Sequence, residues 1–171
     1  MRLSGITHDS VVDGPGIRVV VFTQGCRMAC PNCHNPSSWS EAGGEEYTIR
    51  QVLRTIKKPG PGKKPVRGVT FSGGEPFMQA KELAQVAFEA HKIGWDVVTY
   101  TGNKYEDLCC STDPDIQALL NQTDYLIDGP YIHKERDLSL PFRGSRNQRI
   151  IDMNETRKMG EVVLYSSTTD L

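Results

Sequence analysis

Short, almost continuous apolar runs recur along the chain, and most are followed by a stretch whose apolar residues fall three or four apart. The first run, IRVVVFT at 17–23, reads as a buried strand. YTIRQVLRTIKKPG, 47–60, reads as a helix with Ile49, Val52, Leu53 and Ile56 on one face. Thr48 can cap it, Lys57 and Lys58 suit its C-terminal end, and Pro59-Gly60 stops it. VRGVTF, 66–71, predicts the next strand, and Gln79–Ile93 a second helix with Leu83, Val86, Ala87 and Ala90 on one face. WDVVTY, 95–100, is a third strand, a short helix opens at Asp113-Pro114, and DYLID, 124–128, is a fourth strand. QRIIDM, 148–153, and EVVLY, 161–165, read as two more strands joined by the turn-like NETRKMG. The polar stretch 129–147 has little periodicity, and loops of that length tend to be functional.

Strand, loop, helix, strand at intervals of about thirty residues is the βαβ rhythm of a parallel sheet. Six strands are too few for a closed eight-stranded barrel. The expected fold class is α/β, one domain over 1–171, either an open, partial parallel βα barrel or a short doubly wound sheet. Both gather ligands at the C-terminal ends of their strands. The unusual loops fall there: a cysteine loop after 17–23, SGGEP after 66–71, TGN after 95–100 and DGP after 124–128.

Composition narrows the class. At 171 residues, 37% hydrophobic and 24% charged, the chain can bury a core without crosslinks. A net charge of −1 gives no general drive toward nucleic acid or a membrane surface. No run has the length of a signal-peptide core or a bilayer span, so a cytoplasmic location is expected. Five cysteines, an odd number, then point to metal or redox work rather than disulfides.

Three of the five lie in GCRMACPNCHNP, 25–36. Cys26, Cys30, Cys33 and His34 could hold zinc, but adjacent Cys33 and His34 wrap one tetrahedral ion poorly, and no second cysteine pair follows. CPNC has the spacing of a redox dithiol but leaves Cys26 unexplained. An iron–sulfur cluster suits all three thiolates and leaves one iron open. SGGEP adds two glycines that let backbone approach a ligand closely, and Glu75 could face an ammonium group.

The C-x-x-x-C-x-x-C spacing after a strand, together with Gly73-Gly74-Glu75, closely resembles the radical S-adenosylmethionine superfamily. The resemblance implies a partial barrel of that type and a 4Fe–4S cluster on Cys26, Cys30 and Cys33. S-adenosylmethionine would chelate the open iron and, on reduction, yield a deoxyadenosyl radical. Asn32, Cys33 and His34, Gly73, Gly74 and Glu75, Thr101 and Asp128 would contact that cofactor. DGPGIR, 13–18, resembles the signature of activases that install a glycyl radical in a partner enzyme. Asp13, Gly14, Gly16 and Arg18 would then dock the partner's glycine loop.

LIDGPYIHKERDLSLPFRGSRNQRIID, 126–152, is similar to activating proteins of the anaerobic (class III) ribonucleotide reductase. That implies the reductase catalytic subunit as substrate and a small electron donor such as flavodoxin. Activation of another glycyl radical enzyme, such as pyruvate formate-lyase, is the alternative within this chemistry; a non-catalytic zinc module is the rival outside it. Related activases carry a cation after the fourth strand where DGP has none, which leaves the methionyl carboxylate without an assigned partner. Cys109 and Cys110 read as small packing residues, and Arg143, Arg146 and Arg149 as a basic patch on a solvated or docking face.

Overall fold

The chain begins with a strand that its hydropathy does not signal. In the computed structural model, which describes residues 1–166, β1 (Arg2–Ser10) buries only Leu3. It pairs antiparallel with β2 (Arg18–Thr23) on one side and with the short β3 (Glu45–Glu46) on the other. A strand next to the border of an antiparallel segment needs only one apolar face, so a polar sequence suffices.

The predicted runs form the middle of the sheet. β2, β4 (Gly68–Gly73), β5 (Asp96–Tyr100) and β6 (Tyr125–Asp128) are parallel, with Val20 opposite Thr70 and Val98 opposite Tyr125. β7 (Arg149–Asp152) closes the order β3-β1-β2-β4-β5-β6-β7 antiparallel, Ile127 facing Ile150. The sheet stays open, as expected of a partial barrel.

Helices cover one face. α1 (Ile49–Ile56) starts in a reciprocal cap: Thr48 Oγ1 accepts from Gln51 N–H at 3.2 Å, and Gln51 Oε1 accepts from Thr48 N–H at 2.8 Å. α2 (Ala80–His91), α3 (Tyr105–Cys109) and α4 (Pro114–Gln122) follow. Val21, Val69, Phe71 and Val97 from the strands pack with Val52, Ile56, Leu83 and Leu119 from these helices. The opposite face has a smaller core of Val98, Ile127 and Ile150, joined by Tyr100, Tyr125 and Phe142. Loops rather than helices cover that face, which is why a cavity can open there. No helix among the described residues is long and apolar enough to cross a membrane.

The C-terminal part departs from expectation. NETRKMG is not a turn: α5 (Met153–Met159) occupies it, with Asp152 accepting from Glu155 N–H at 2.9 Å and Gly160 ending the helix at φ 75°. EVVLY forms no strand beyond one isolated bridge between Leu164 and Ile151. Cys109 and Cys110, expected to pack inside, are both exposed at the end of α3.

Arg18 also overturns its expected docking role. It is fully buried. Its guanidinium donates to Thr70 Oγ1 at 2.7 Å, Pro15 O at 3.0 Å and Val69 O at 2.9 Å, and meets the Asp96 carboxylate at 2.6 Å. Gly14 is buried above it, where a Cβ would come within 2.9 Å of Arg18 Cδ. Gly16 is exposed, and a Cβ there would come within 2.7 Å of Arg67 Cδ. DGPGIR is therefore mainly an internal brace between β2, β4 and β5. Asp96 retains Arg67 at 2.9 Å, so Arg18→Met should cost the low end of a broken buried pair, ~3 kcal/mol. Urea unfolding checks this; a loss below about 1 kcal/mol would show that the brace carries little of the stability.

Candidate functional site

One cavity of about 740 Å³ lies over the C-terminal ends of the parallel strands. Cys26, Cys30 and Cys33 line it, with His34, Gly73, Gly74, Glu75 and Thr101. The loop that carries the thiols is shaped by its backbone. Ala29 and Asn32, each immediately before a cysteine, take left-handed φ values of 46° and 58°. Such conformations cost ~1 kcal/mol or more each and persist only where the surroundings hold them. Gly25 N–H donates to Ser38 O at 2.8 Å and Cys26 N–H to Trp39 O at 3.1 Å, tying the start of the loop to the 3₁₀ turn Pro36–Ser38.

Glu75 does not present a free carboxylate to the cavity. It is only 4% exposed. It accepts from Phe77 N–H at 3.0 Å, Thr101 Oγ1 at 3.0 Å and Gly102 N–H at 2.9 Å. Burial pushes its pKa up, and those three donors pull it back. Thr101 Oγ1 in turn accepts from Asn103 N–H at 3.0 Å, and Asn103 O accepts from Gly129 N–H at 2.9 Å. On the other side Glu75 N–H donates to Gly25 O and Gly74 N–H to Thr23 O, both at 2.8 Å. One connected network thus joins the loops after β2, β4, β5 and β6.

Two expected cofactor contacts fall elsewhere. Asp128 is buried, and its carboxylate accepts from Tyr105 N–H at 2.8 Å and Arg149 Nε at 3.0 Å, so it braces α3 and β7 instead of lining the cavity. Asn32 is exposed and outside the lining; its contribution is the turn. From DGPGIR only Asp13 reaches the cavity, beside Val11 and Val12. The three arginines of the expected patch separate: Arg149 pairs with Glu106 at 2.8 Å and with Asp128, Arg146 stands 3.8 Å from Asp137, and Arg143 lines the cavity. The sequence reading missed Asn103 and the carbonyls of Ser38 and Trp39. Their roles come from backbone geometry, which leaves no compositional signal.

The donor set suits an iron–sulfur cluster. Thiolates are its usual ligands, and the wall beside them includes Phe22, Met28 and Trp39, which limit water. Asn35 N–H points at Cys33 Sγ at 3.4 Å, the kind of contact that tunes a cluster's potential. Burial raises the pKa of the Cys26 thiol. Among the described residues no three His, Cys, Asp or Glu side chains converge as ligands of one ion. A cubane presents its irons at separate corners and does not need such convergence.

Known proteins bear on this arrangement. The model of the 4Fe-4S single cluster domain matches residues 12–151. The anaerobic ribonucleoside-triphosphate reductase-activating protein of Vibrio cholerae is 34% identical over 145 residues, covering 82% of this chain and 90% of that one. The protein of the same name from phage T4 is 32% identical over 143 residues, covering 81% and 86%. The pyruvate formate-lyase-activating enzyme of Clostridium pasteurianum is 38% identical over 117 residues; the match takes in 66% of this chain but spans only 49% of that enzyme. Among solved structures, QueE from Escherichia coli aligns over 60% of this chain and 52% of its own, with TM-score 0.48 and 18% identity. With the family model spanning most of the sheet and the whole cysteine loop, the chain belongs to the 4Fe-4S single-cluster family that includes the anaerobic ribonucleoside-triphosphate reductase-activating proteins.

Proposed function

We propose that this protein generates the glycyl radical of an anaerobic ribonucleotide reductase, using a 4Fe–4S cluster and S-adenosylmethionine. One observation carries the reading: the three thiols and the backbone of Gly73-Gly74 line a single cavity, in a chain that shares 34% identity over 145 residues with a reductase-activating protein. When bound, the two cofactors supply the radical that takes a hydrogen atom from the partner's glycine.

The chain's own residues hold, orient and shield. Cys26, Cys30 and Cys33 supply the cluster's protein ligands. The Glu75 carboxylate is taken up by the rim network, so the methionyl ammonium falls to the backbone of Gly73 and Gly74, with the buried charge behind it. Thr101 and Gly102 are fixed by Glu75 and form the next part of the wall. The partner enters where Val11, Val12 and Leu138 line the cavity yet are 61%, 70% and 76% exposed. Asp13 lies at this entrance, its carboxylate accepting from Ser10 Oγ at 2.5 Å. Docking rests on Asp13, its apolar neighbours and the exposed Gly16, without the buried Gly14 and Arg18. A small donor such as flavodoxin supplies the electron.

Anaerobic reconstitution tests the ligand set. Cys26→Ser, Cys30→Ser and Cys33→Ser should each lose S-adenosylmethionine cleavage, while Cys109→Ser and Cys110→Ser keep it. Loss of the cluster in either of the last two variants would make the open iron untenable.

Gly74 allows a sharper test than ligand binding alone. A Cβ there would stand 2.2 Å from Gly25 O, one residue before Cys26. Gly74→Val should therefore lower iron and sulfide content as well as cofactor binding. A variant with full cluster content would show that the two loops are not mechanically joined.

Asp13→Ala should leave the cluster and cofactor cleavage intact and sharply reduce the glycyl radical, read by electron paramagnetic resonance on the reductase. Docking geometry sets the abstraction rate, so a misplaced glycine can cost on the order of 100-fold. An unchanged yield removes Asp13 from the docking site. Radical formation on pyruvate formate-lyase but not on the reductase would replace the named substrate and keep the chemistry.

A further inference from the structure

The cavity has one permanent cation among its described lining residues. The end of β6 offers Asp128-Gly129-Pro130, with no lysine or arginine. Arg143, thirteen or more residues further on, lines the same cavity. Among the described residues its Nε is buried without a hydrogen-bond partner, while Nη1 donates to Gln148 O at 3.2 Å. No carboxylate is paired with it among the described residues, whereas Arg146 and Arg149 both face acids. A buried guanidinium edge without an acceptor is costly unless a ligand completes it.

The loop is built to bring that side chain back to β6. Gln148 Oε1 accepts from Gly144 N–H at 2.9 Å and Ser145 N–H at 3.2 Å, while Gln148 Nε2 donates to Gly129 O at 3.1 Å. Asn147 Nδ2 donates to Pro130 O at 2.7 Å. The turn around Arg143 is thus pinned to the two residues that follow Asp128. On its other side Phe142 holds a left-handed φ of 59°, and its carbonyl accepts from Tyr100 O–H at 2.7 Å. A non-glycine residue in that region is strained, so the turn is held by these contacts against its own preference.

We propose that Arg143 receives the methionyl carboxylate of S-adenosylmethionine. The proposal rests on the function proposed above. The other ionisable groups on the cavity wall, apart from His34, are the thiols, Asp13, Glu75, Tyr100 and Tyr131; none of them is a cation, and the Tyr100 hydroxyl already donates to Phe142 O. A guanidinium offers two parallel N–H donors to a carboxylate, a fit that an ammonium cannot copy. Gln148 and the β6 end position the group in advance, which reduces the ordering needed on binding.

The test pairs a change in the protein with a change in the ligand. Cluster-loaded protein is titrated anaerobically, without reductant, with S-adenosylmethionine and with its decarboxylated analogue. The parent should prefer the carboxylate form. In Arg143→Gln that preference should shrink by about tenfold or more, the size of a lost charge-assisted hydrogen bond, with affinity for the decarboxylated analogue nearly unchanged. Arg143→Lys should keep part of the preference and serves if the Gln variant loses its cluster. An undiminished preference in Arg143→Gln, or a parent that binds both ligands alike, overturns the proposal. A cluster-loaded parent that binds neither ligand overturns the proposed function instead.

Discussion

A buried carboxylate, satisfied entirely by neighbouring loops, organises the working end of this protein. Glu75 takes hydrogen bonds from Phe77 in its own turn and from Thr101 and Gly102 beyond the next strand. Its own N–H reaches Gly25, the residue before Cys26. An unpaired carboxylate at 4% exposure would be severely penalised, so these donors cannot drift away independently. Loops that would otherwise move as separate segments are coupled, and a site that must hold a cluster beside a second cofactor gains a rigid wall.

The opposite end of the sheet has its own brace. Arg18 spans β2 and β4 and reaches Asp96 at the start of β5, while the DGPGIR turn packs against its stem. In this sheet the helices pack on one face, and the other carries only a small core of its own. Here that face is filled by residues 11–16 at one end and by the long loop after β6 at the other. The cavity is the space left between these two fillings. Its wall therefore combines residues from both with the strand ends, and its entrance is apolar and exposed at Val11, Val12 and Leu138.

The brace also explains why Arg18 and Gly14 are not the surface residues that the sequence suggests. Asp-Gly-Pro-Gly-Ile-Arg suggests an exposed glycine turn with a charged end. A fully buried arginine needs several acceptors, and Pro15 O, Val69 O, Thr70 and Asp96 become available only when three strands and the turn converge. Asp128 is a parallel case: a carboxylate at a strand end looks like a ligand contact until Arg149 arrives from the antiparallel edge strand.

Local pattern was enough for the four parallel strands, the first two helices and the grouping of Cys26, Cys30 and Cys33. Continuous β-branched runs, helical spacing with caps, and thiols held three or four residues apart are all properties of short segments. β1 escaped because a strand with one buried residue has no hydrophobic signature, and α5 because Asp152 and Gly160 cap a segment with little apolar periodicity. The cavity wall was legible only in part. Gly73, Gly74 and Thr101 line it as their positions at strand ends suggested, whereas the inward turn of Glu75 and the retreat of Asp128 depend on partners about twenty or more residues away. Arg143 marks the limit most plainly. Its sequence neighbours assign it to a basic loop; only Gln148 and Asn147 bonding to Gly129 and Pro130 set it apart from Arg146 and Arg149 and give the cavity its cation. Periodicity records which residues are near in sequence, and a long loop's return path is decided by hydrogen bonds to backbone that the sequence does not mark.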